Sequence, residues 1–348
     1  MATKSRKPRA LTPGDTVAVI SPSWGGPSEF PHIFEAGLNM LRGWGLRIKE
    51  YPSTRLSAPA LASQPALRAD DINNAFADPT VAAIWASIGG DDSVLVLPHL
   101  NKQLIAANPN ILIGFSDTST LLVYAHVWGG MVTFHGPSVM AGIAQLPKFS
   151  QQHRTHIHDM LFTHNAQMTY QPYSHYCNGY RDWSDASYGA DLKPLQFSRG
   201  WQFLQGNGLH QGETFGGCIE VLEWLKGSPY WPTPEFWHGK ILFLETSEEK
   251  PSITDVTRWL RSYGIQDVFR KVAGVLIGRA RDYTLSEQIA LDVAVLQVIH
   301  HEFGATTIPI VTNVDFGHTD PQFIIPIGIT MQIDCHEQRI SLTEPWLC

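Results

Sequence analysis

Short apolar runs alternate along the chain with longer segments in which apolar residues recur at helical spacing. The runs predict buried strands, and they are residues 16–20, 46–50, 81–88, 111–115, 240–244, 272–277 and 308–314. The spaced segments predict helices, and they include residues 30–44, 253–263 and 285–303. Strands that alternate with helices form a parallel sheet covered on both faces, so the pattern predicts an α/β fold.

The stretch around Ser116 predicts a strand, a tight turn and a helix. The apolar run 111–115 precedes this serine, and apolar residues recur at helical spacing after it. A side chain at such a turn lies at the carboxyl end of a buried strand, beside the free N–H groups that begin a helix. This placement suits a nucleophile, because those groups stabilise the negative charge that attack creates. The alternative is a helix cap, which is the commoner role of serine there.

Glu245 and His318 also follow apolar runs, at the position where open sheets place their chemistry. With Ser116 they supply a nucleophile, an orienting carboxylate and a base, in the order Ser, acid, His. A histidine taken alone is more often a surface or capping residue. A lipase-like α/β-hydrolase is an alternative enzyme, but its G-x-S-x-G and H-G-G-G signatures are both absent.

Gly89 and Gly90 follow the run 81–88 at another predicted strand end. Glycine at this point lets the backbone approach a reacting carbonyl closely. One of the two N–H groups, together with that of Asp117, is therefore a candidate for an oxyanion hole. The alternative is an ordinary glycine turn.

Composition narrows the classes of partner and compartment. The chain has 348 residues with a net charge of −7, which argues against nucleic acid because phosphate binding needs a basic face. No apolar stretch approaches the length of a membrane span, and the run 17–20 is too short for a signal-peptide core, so we expect a cytoplasmic protein. The cysteines lack C-x-x-C spacing, which favours reduced thiols. They are Cys177, Cys218, Cys335 and Cys348.

Residues 171–208 form a long irregular stretch rich in Tyr, Trp, Gly and Ser. Such a connection is usually functional, and we expect a lid or a crossing between two domains. Trp183 is the candidate for stacking on a substrate, although aromatic residues here can also pack the segment down. The histidine-rich segment 151–164 has no H-E-x-x-H motif, so it predicts a solvated helix face rather than a metal site.

Four motifs, in order along nearly the whole chain, resemble the LD-carboxypeptidase family of serine peptidases, which also contains the microcin C immunity proteins. They are Ile113-Gly-Phe-Ser-Asp-Thr-Ser119, Gly216-Gly217 before a helix, Leu242-Phe-Leu-Glu-Thr-Ser247, and Phe316-Gly-His-Thr-Asp-Pro321 followed by Pro326-Ile-Gly328. The resemblance implies that Ser116 is the nucleophile, with Glu245 and His318 completing a triad. It also implies an oxyanion hole formed by the N–H groups of Asp117 and of the Gly89-Gly90 pair, with Gly90 preferred.

The same resemblance implies a fold and an assembly. A flavodoxin-like (class I glutamine amidotransferase-like) α/β domain would span residues 1–170, with the aromatic crossing at 171–208. A swivelling β/α domain would span residues 209–348 and carry the glutamate and the histidine. The family implies a homodimer without metal or cofactor, with the active site between the two domains.

The branch of the family decides the expected substrate. Trp183 and the run 227–232 resemble the immunity branch, which cleaves an amide joining an aminoacyl group to a modified adenylate and stacks a tryptophan on adenine. Cys218, however, stands where that branch usually has asparagine, and Glu249 stands where it has a lysine near the phosphate. A carboxylate facing a phosphate repels it by roughly 1 to 3 kcal/mol. Lys250 replaces that lysine only if the loop shifts by one residue.

We therefore expect a hydrolase that prefers a small peptide or an uncharged conjugate to an adenylate. Gly89, Trp183, Cys218 and Glu249 are the residues predicted to contact this substrate. Two alternatives stay open at this point. One is an immunity hydrolase specific for an adenylate conjugate, and the other is a non-catalytic binding protein of the same fold with a vestigial serine.

Overall fold

The computed structural model describes residues 5–348 as a mixed α/β protein with two large sheets. The strands are β1 (Thr16–Ile20), β2 (Arg47–Glu50), β3 (Val81–Ala86), β4 (Ile111–Gly114), β5 (Thr133–His135), β6 (Met168–Thr169), β7 (His175–Tyr176), β8 (Gln196–Phe197), β9 (Gln202–Gln205), β10 (Leu209–Cys218), β11 (Ile241–Glu245), β12 (Gly274–Gly278), β13 (Ile310–Val314), β14 (Ile325–Ile327), β15 (Thr330–Asp334) and β16 (Arg339–Leu342). The predicted α/β character is confirmed.

Helices cover both sheets, and several begin at polar capping residues. The α-helices are α1 (Gly26–Glu29), α2 (Pro31–Gly43), α3 (Ala58–Ala62), α4 (Pro65–Ala77), α5 (Lys102–Ala107), α6 (Ser119–Val127), α7 (Gln151–Phe162), α8 (Ile219–Leu225), α9 (Ile253–Ile265) and α10 (Leu285–Leu296). Ser252 caps α9 by accepting from the N–H of Asp255. Thr284 and Glu287 form a reciprocal capping box at α10, which fixes where this helix begins.

The first sheet has the strand order β14-β5-β4-β3-β1-β2. The strands β1 to β5 are parallel neighbours, whereas β14 pairs antiparallel with β5. The carboxyl ends of β3 and β4 therefore meet at one edge, where the chain continues into Gly89-Gly90 and into Ser116. This is the edge at which parallel sheets place ligands.

The second sheet has the order β6-β16-β15-β10-β11-β12-β13-β9. Its centre, β10 to β13, is parallel, and Glu245 is the last residue of β11. After β13 the chain crosses to the first sheet, where β14 pairs with β5. His318 lies on the connection between β13 and β14. This connection therefore carries the histidine to the junction of the two sheets.

Most of the predicted elements have the expected positions, with small differences at their ends. The predicted helix 285–303 is α-helical only as far as Leu296 and continues as a π-helical segment, Gln297–Glu302. In the part of the chain that the structure describes, no helix is long and apolar enough to cross a membrane. The division at residues 170 and 208 stays a prediction, and the pairing of β14 shows that the carboxyl-terminal part also contributes to the first sheet.

Candidate active site

Ser116 lies on a strained turn between β4 and α6. Its φ is +58°, in the left-handed region that a non-glycine residue adopts at a cost of about 1–3 kcal/mol. The turn continues as the short 3-10 segment Ser116–Thr118, and α6 begins at the next residue. Strain of this kind exposes the side chain at the top of the strand, as in the nucleophile turns of serine hydrolases. The predicted strand, turn and helix are therefore present.

The Gly89-Gly90 loop passes directly beside the serine. A Cβ on Gly89 would lie only 3.0 Å from Ser116 Oγ and 3.4 Å from the backbone nitrogen of Asp117, so this approach requires glycine. The Gly89 carbonyl accepts from the N–H of Trp24 at 3.1 Å. Because a trans peptide directs its C=O and N–H oppositely, the N–H of Gly90 points away from Trp24.

The Asp117 side chain ties this loop to the serine turn. Its buried carboxylate accepts from the N–H groups of Asp92 (3.1 Å) and Ser93 (2.9 Å) and from the Ser93 hydroxyl (2.6 Å). Burial raises the pKa of Asp117, although hydrogen bonds from Ser23 and Ser93 oppose the shift. The sequence suggested only the backbone N–H of this residue, whereas its carboxylate also fixes the glycine loop.

A buried arginine also holds the loop that contains Gly89 and Gly90. Arg68 is fully buried on α4 and donates both terminal nitrogens to Asp92, at 2.6 and 3.2 Å. It also donates to the carbonyl of Pro22. Sequence reasoning missed both members of this pair. The run Gly89-Gly90-Asp91-Asp92-Ser93 carried the only available signal, a carboxylate beside a glycine turn.

Glu245 and His318 form a buried hydrogen-bonded pair. Glu245 Oε2 lies 2.6 Å from His318 Nδ1, and the two residues are 1% and 5% exposed. Burial raises the pKa of Glu245, although the charge and hydrogen bond of His318 oppose the shift. For His318 burial lowers the pKa, but Glu245 and Glu248 outweigh it and raise the value to about 10.

A second histidine contacts the other oxygen of the same glutamate. His135 Nε2 lies 3.8 Å from Glu245 Oε1, and neither ring nitrogen of His135 has a hydrogen-bond partner among the described residues. Burial, assisted by the charge of His318, lowers the pKa of His135 to about 3, so this ring is neutral. Nothing in the local sequence distinguished His135, because it lies within the short strand β5.

The outer nitrogen of His318 faces Glu248. Its Nε2 lies 3.0 Å from Glu248 Oε2, at ion-pair distance but without hydrogen-bond alignment. Burial would raise the pKa of Glu248, but the close approach and the positive charge of His318 prevail and lower it to about 2. Among the described residues no hydrogen bond joins Ser116 Oγ to His318. The Glu248 side chain is 54% exposed to solvent.

One cavity of about 350 Å³ brings most of the predicted residues together. Its wall includes Gly89, Gly90, Ser116, Glu249 and His318. Glu245 and Asp117 lie buried behind this wall. Carboxylates dominate the charged groups that line the cavity, which are Asp91, Glu248, Glu249 and Asp320 against the cations Arg281 and His318.

The aromatic crossing contributes a different ring from the one predicted. Tyr180 lines the cavity, and Trp183 stacks behind it with ring centroids 4.1 Å apart and an interplanar angle of 13°. Trp183 is 5% exposed and also packs edge-on against Phe30. Trp183 is absent from the described wall of the cavity, so its contact with substrate stays a prediction.

Cys218 and Lys250 both make contacts with polar side chains. Cys218 is buried, its N–H donates to Ser119 Oγ at 3.2 Å, and its thiol donates to Glu220 at 3.3 Å. Burial raises the pKa of this thiol well above its usual value. Lys250 does not line the cavity, because its ammonium lies 3.0 Å from Glu287, the capping-box residue of α10.

A serine on a strained strand-to-helix turn, a buried histidine–glutamate pair and a shared cavity are typical of a serine hydrolase. Residues 17–136 match the LD-carboxypeptidase N-terminal domain, and residues 211–333 match the LD-carboxypeptidase C-terminal domain. The chain belongs to the LD-carboxypeptidase family and is a serine-type peptidase. The family and the two-domain α/β fold predicted from the sequence are therefore confirmed.

Relatives from both branches of the family are similar to this chain. The microcin C7 self-immunity protein of Escherichia coli is 26% identical over 338 residues, 97% of this chain and 95% of its own length. The solved structure of that immunity protein in complex with aspartyl sulfamoyl adenosine superposes with a TM-score of 0.86 at 26% identity, covering 98% of this chain and 99% of that one. A murein tetrapeptide carboxypeptidase of Pseudomonas aeruginosa is 34% identical over 132 residues, 38% of this chain and 41% of its own.

Proposed function

We propose that this protein hydrolyses an amide bond in a small peptide or peptide conjugate through a Ser116, His318, Glu245 triad. The observation that carries the proposal is the cavity, whose wall contains both Ser116 and His318 while Glu245 holds Nδ1 of the histidine from behind. This is the arrangement of nucleophile, base and orienting acid that acyl transfer requires.

The reaction begins when Ser116 Oγ attacks the amide carbonyl and His318 Nε2 takes its proton. Glu248 has to leave Nε2 before this step, since it lies where the serine hydroxyl must approach. The carbonyl oxygen becomes an oxyanion that accepts from the N–H groups of Gly90 and Asp117. His318 then gives the proton to the leaving amine. Water, activated by the same histidine, releases the acyl group from Ser116.

The charges around the cavity favour a peptide over an adenylate. Glu249 lines the wall, and the ammonium of Lys250 is already paired with Glu287, so the loop supplies a negative charge where a phosphate would need a positive one. The expected repulsion is roughly 1 to 3 kcal/mol. We infer that the substrate is uncharged or cationic near this loop.

One observation favours an aminoacyl-nucleotide conjugate as the second candidate. Tyr180 lines the cavity, its ring is stacked on that of Trp183, and the Arg281 guanidinium lies 5.7 Å from the Tyr180 ring centroid. A supported aromatic ring is a platform on which a nucleobase can stack.

Labelling with a fluorophosphonate tests the nucleophile directly. We expect the native protein to become labelled, the Ser116→Ala variant to lose labelling completely, and the exposed Ser63→Ala control to retain it. Absence of labelling in the native protein would instead favour the non-catalytic binding protein.

Mass spectrometry of two incubations tests the substrate. We expect release of the terminal residue from a murein tetrapeptide and slower cleavage of aspartyl sulfamoyl adenosine. Cleavage of the nucleoside conjugate alone would contradict the role given to Glu249. The matched variant Glu249→Lys places a cation at that position. It should shift the substrate preference towards the nucleoside conjugate.

The family resemblance supports two further parts of the proposal, a homodimer and a cytoplasmic location. Light scattering during size-exclusion chromatography should give about twice the mass of one chain. Fractionation of the producing cell should find the protein with the cytoplasmic markers. A single-chain mass, or recovery with envelope fractions, would contradict the respective part.

A further inference from the structure

The cavity wall contains two buried polar side chains, and in the described structure one oxygen of each has no hydrogen-bond partner. Asp320 and Gln322 line it and are 4% and 1% exposed. Asp320 Oδ1 and Gln322 Oε1 each lack a hydrogen-bond partner among the described residues. Both residues lie on the connection between β13 and β14 that also carries His318. This part of the cavity wall is therefore close to the proposed catalytic histidine. None of the mechanistic steps above uses either residue.

Unpaired acceptors of this kind predict a ligand with donors. A buried polar atom without a partner is costly, and native proteins satisfy the great majority of them. Here both orphaned atoms are acceptors, and one belongs to a carboxyl group. A primary ammonium carries three donors and a positive charge, so it matches both the geometry and the charge.

The surrounding charges support a cationic occupant. Asp91, Glu248 and Glu249 add to the negative charge of Asp320 in the same wall. Arg281 and His318 are the cations of this wall, and both interact with Asp320, while the Nε of Arg281 also lies 3.5 Å from Asp282. Burial raises the pKa of Asp320 to about 6, with Arg281, Gln322 and His318 opposing, so the carboxyl group is mostly ionised at neutral pH.

We propose that Asp320 and Gln322 form a subsite that binds a free primary amine of the substrate, close to the bond that Ser116 attacks. The role of this subsite in substrate selection rests on the proposed hydrolase function. The binding of an amine by the subsite does not, and it is tested separately. It places the substrate among peptides or conjugates that carry a free amine and predicts weaker binding of their N-acylated forms.

The first experiment measures binding to the Ser116→Ala variant, which cannot turn the ligand over. Isothermal titration compares a murein tetrapeptide with the same peptide acetylated at its primary amines and with the same peptide dimethylated there. Dimethylation adds similar bulk to acetylation but keeps the charge. We expect acetylation to weaken binding about tenfold or more and dimethylation to weaken it less, because a hydrogen bond to a charged group is worth about tenfold or more in affinity. Equal affinity for all three peptides would overturn the subsite.

The second experiment assigns the selectivity to the two residues. Asp320→Asn, made in the Ser116→Ala background, keeps the shape of the carboxyl group and removes its charge, so the preference for the free amine should fall to about twofold or less. The control Asp91→Asn removes an exposed carboxylate from the same wall and should keep most of the preference. If Asp320→Asn fails to fold, Gln322→Met removes the second acceptor with little change in volume, and the preference should fall about threefold. An unchanged preference in the folded variant would refute the assignment.

The two proposals fail in different ways. Fluorophosphonate labelling without any preference for the free amine removes the subsite and leaves the hydrolase. A preference for the free amine in a protein that is never labelled removes the hydrolase and leaves an amine-binding cavity.

Discussion

Replacing Glu248 by glutamine should make the histidine a better base near neutral pH. Only a neutral imidazole can accept the serine proton, and the two carboxylates beside His318 raise its pKa to about 10. Glutamine keeps the size of Glu248 and removes one of these charges. The pKa of His318 should therefore fall, and the acid limb of the pH–rate profile should move to lower pH.

The exposure of Glu248 limits the size of this effect. Its side chain is 54% exposed, and an ion pair with so much access to water is worth at most about 1 kcal/mol. That free energy corresponds to about 0.7 pKa units. Below the pKa, where the rate follows the neutral fraction of the histidine, the gain is about fivefold at most. Glu245 stays in place, so most of the elevation of the pKa should remain.

The rate of fluorophosphonate labelling between pH 6 and 10 measures this shift without the complication of substrate binding. Glu249→Gln is the matched control, because Glu249 lines the same cavity but makes no contact with the His318 ring in the described structure. An acid limb that stays in place or moves to higher pH in Glu248→Gln would refute the reasoning. An equal shift in both variants would show that general charge, and not the contact at Nε2, sets the pKa.

Three further predictions concern the same site. Glu245→Gln should lower the labelling rate by about 10²- to 10⁴-fold in a folded protein, since the imidazole loses its orienting charge; a rate near that of the native protein would exclude a triad. Gly89→Ala should slow labelling strongly while circular dichroism stays unchanged, because the added Cβ would lie 3.0 Å from Ser116 Oγ. The folded-state pKa of His318 is raised from 6.5 to about 10, so its contribution to stability is complete below about pH 6.5 and is lost as the pH rises through 10. The melting temperature should accordingly fall between pH 7 and 10, and should fall less in His318→Gln; the same decline in both proteins would contradict the assignment.

The sequence by itself determined the local elements and the residue types of the site. Apolar runs and helical spacing located most strands and helices, because burial on one face leaves a regular period in the chain. The turn between β4 and α6 was readable for the same reason, and it placed Ser116 where a nucleophile is useful. The ordered motifs, taken together, were specific enough to predict the family.

Only the tertiary structure decided which distant groups meet. β14 returns to the first sheet beside β5, and this crossover places His318 against Glu245 and beside the cavity that Ser116 lines. The tertiary structure also pairs Lys250 with Glu287, and it brings Tyr180, but not Trp183, to the described wall of the cavity. The contacts of His318 with Glu245 and of Lys250 with Glu287 join residues far apart in sequence. Strand order and packing determine which of these residues meet. A local pattern records which side of an element is buried, but it does not record which distant partner buries it.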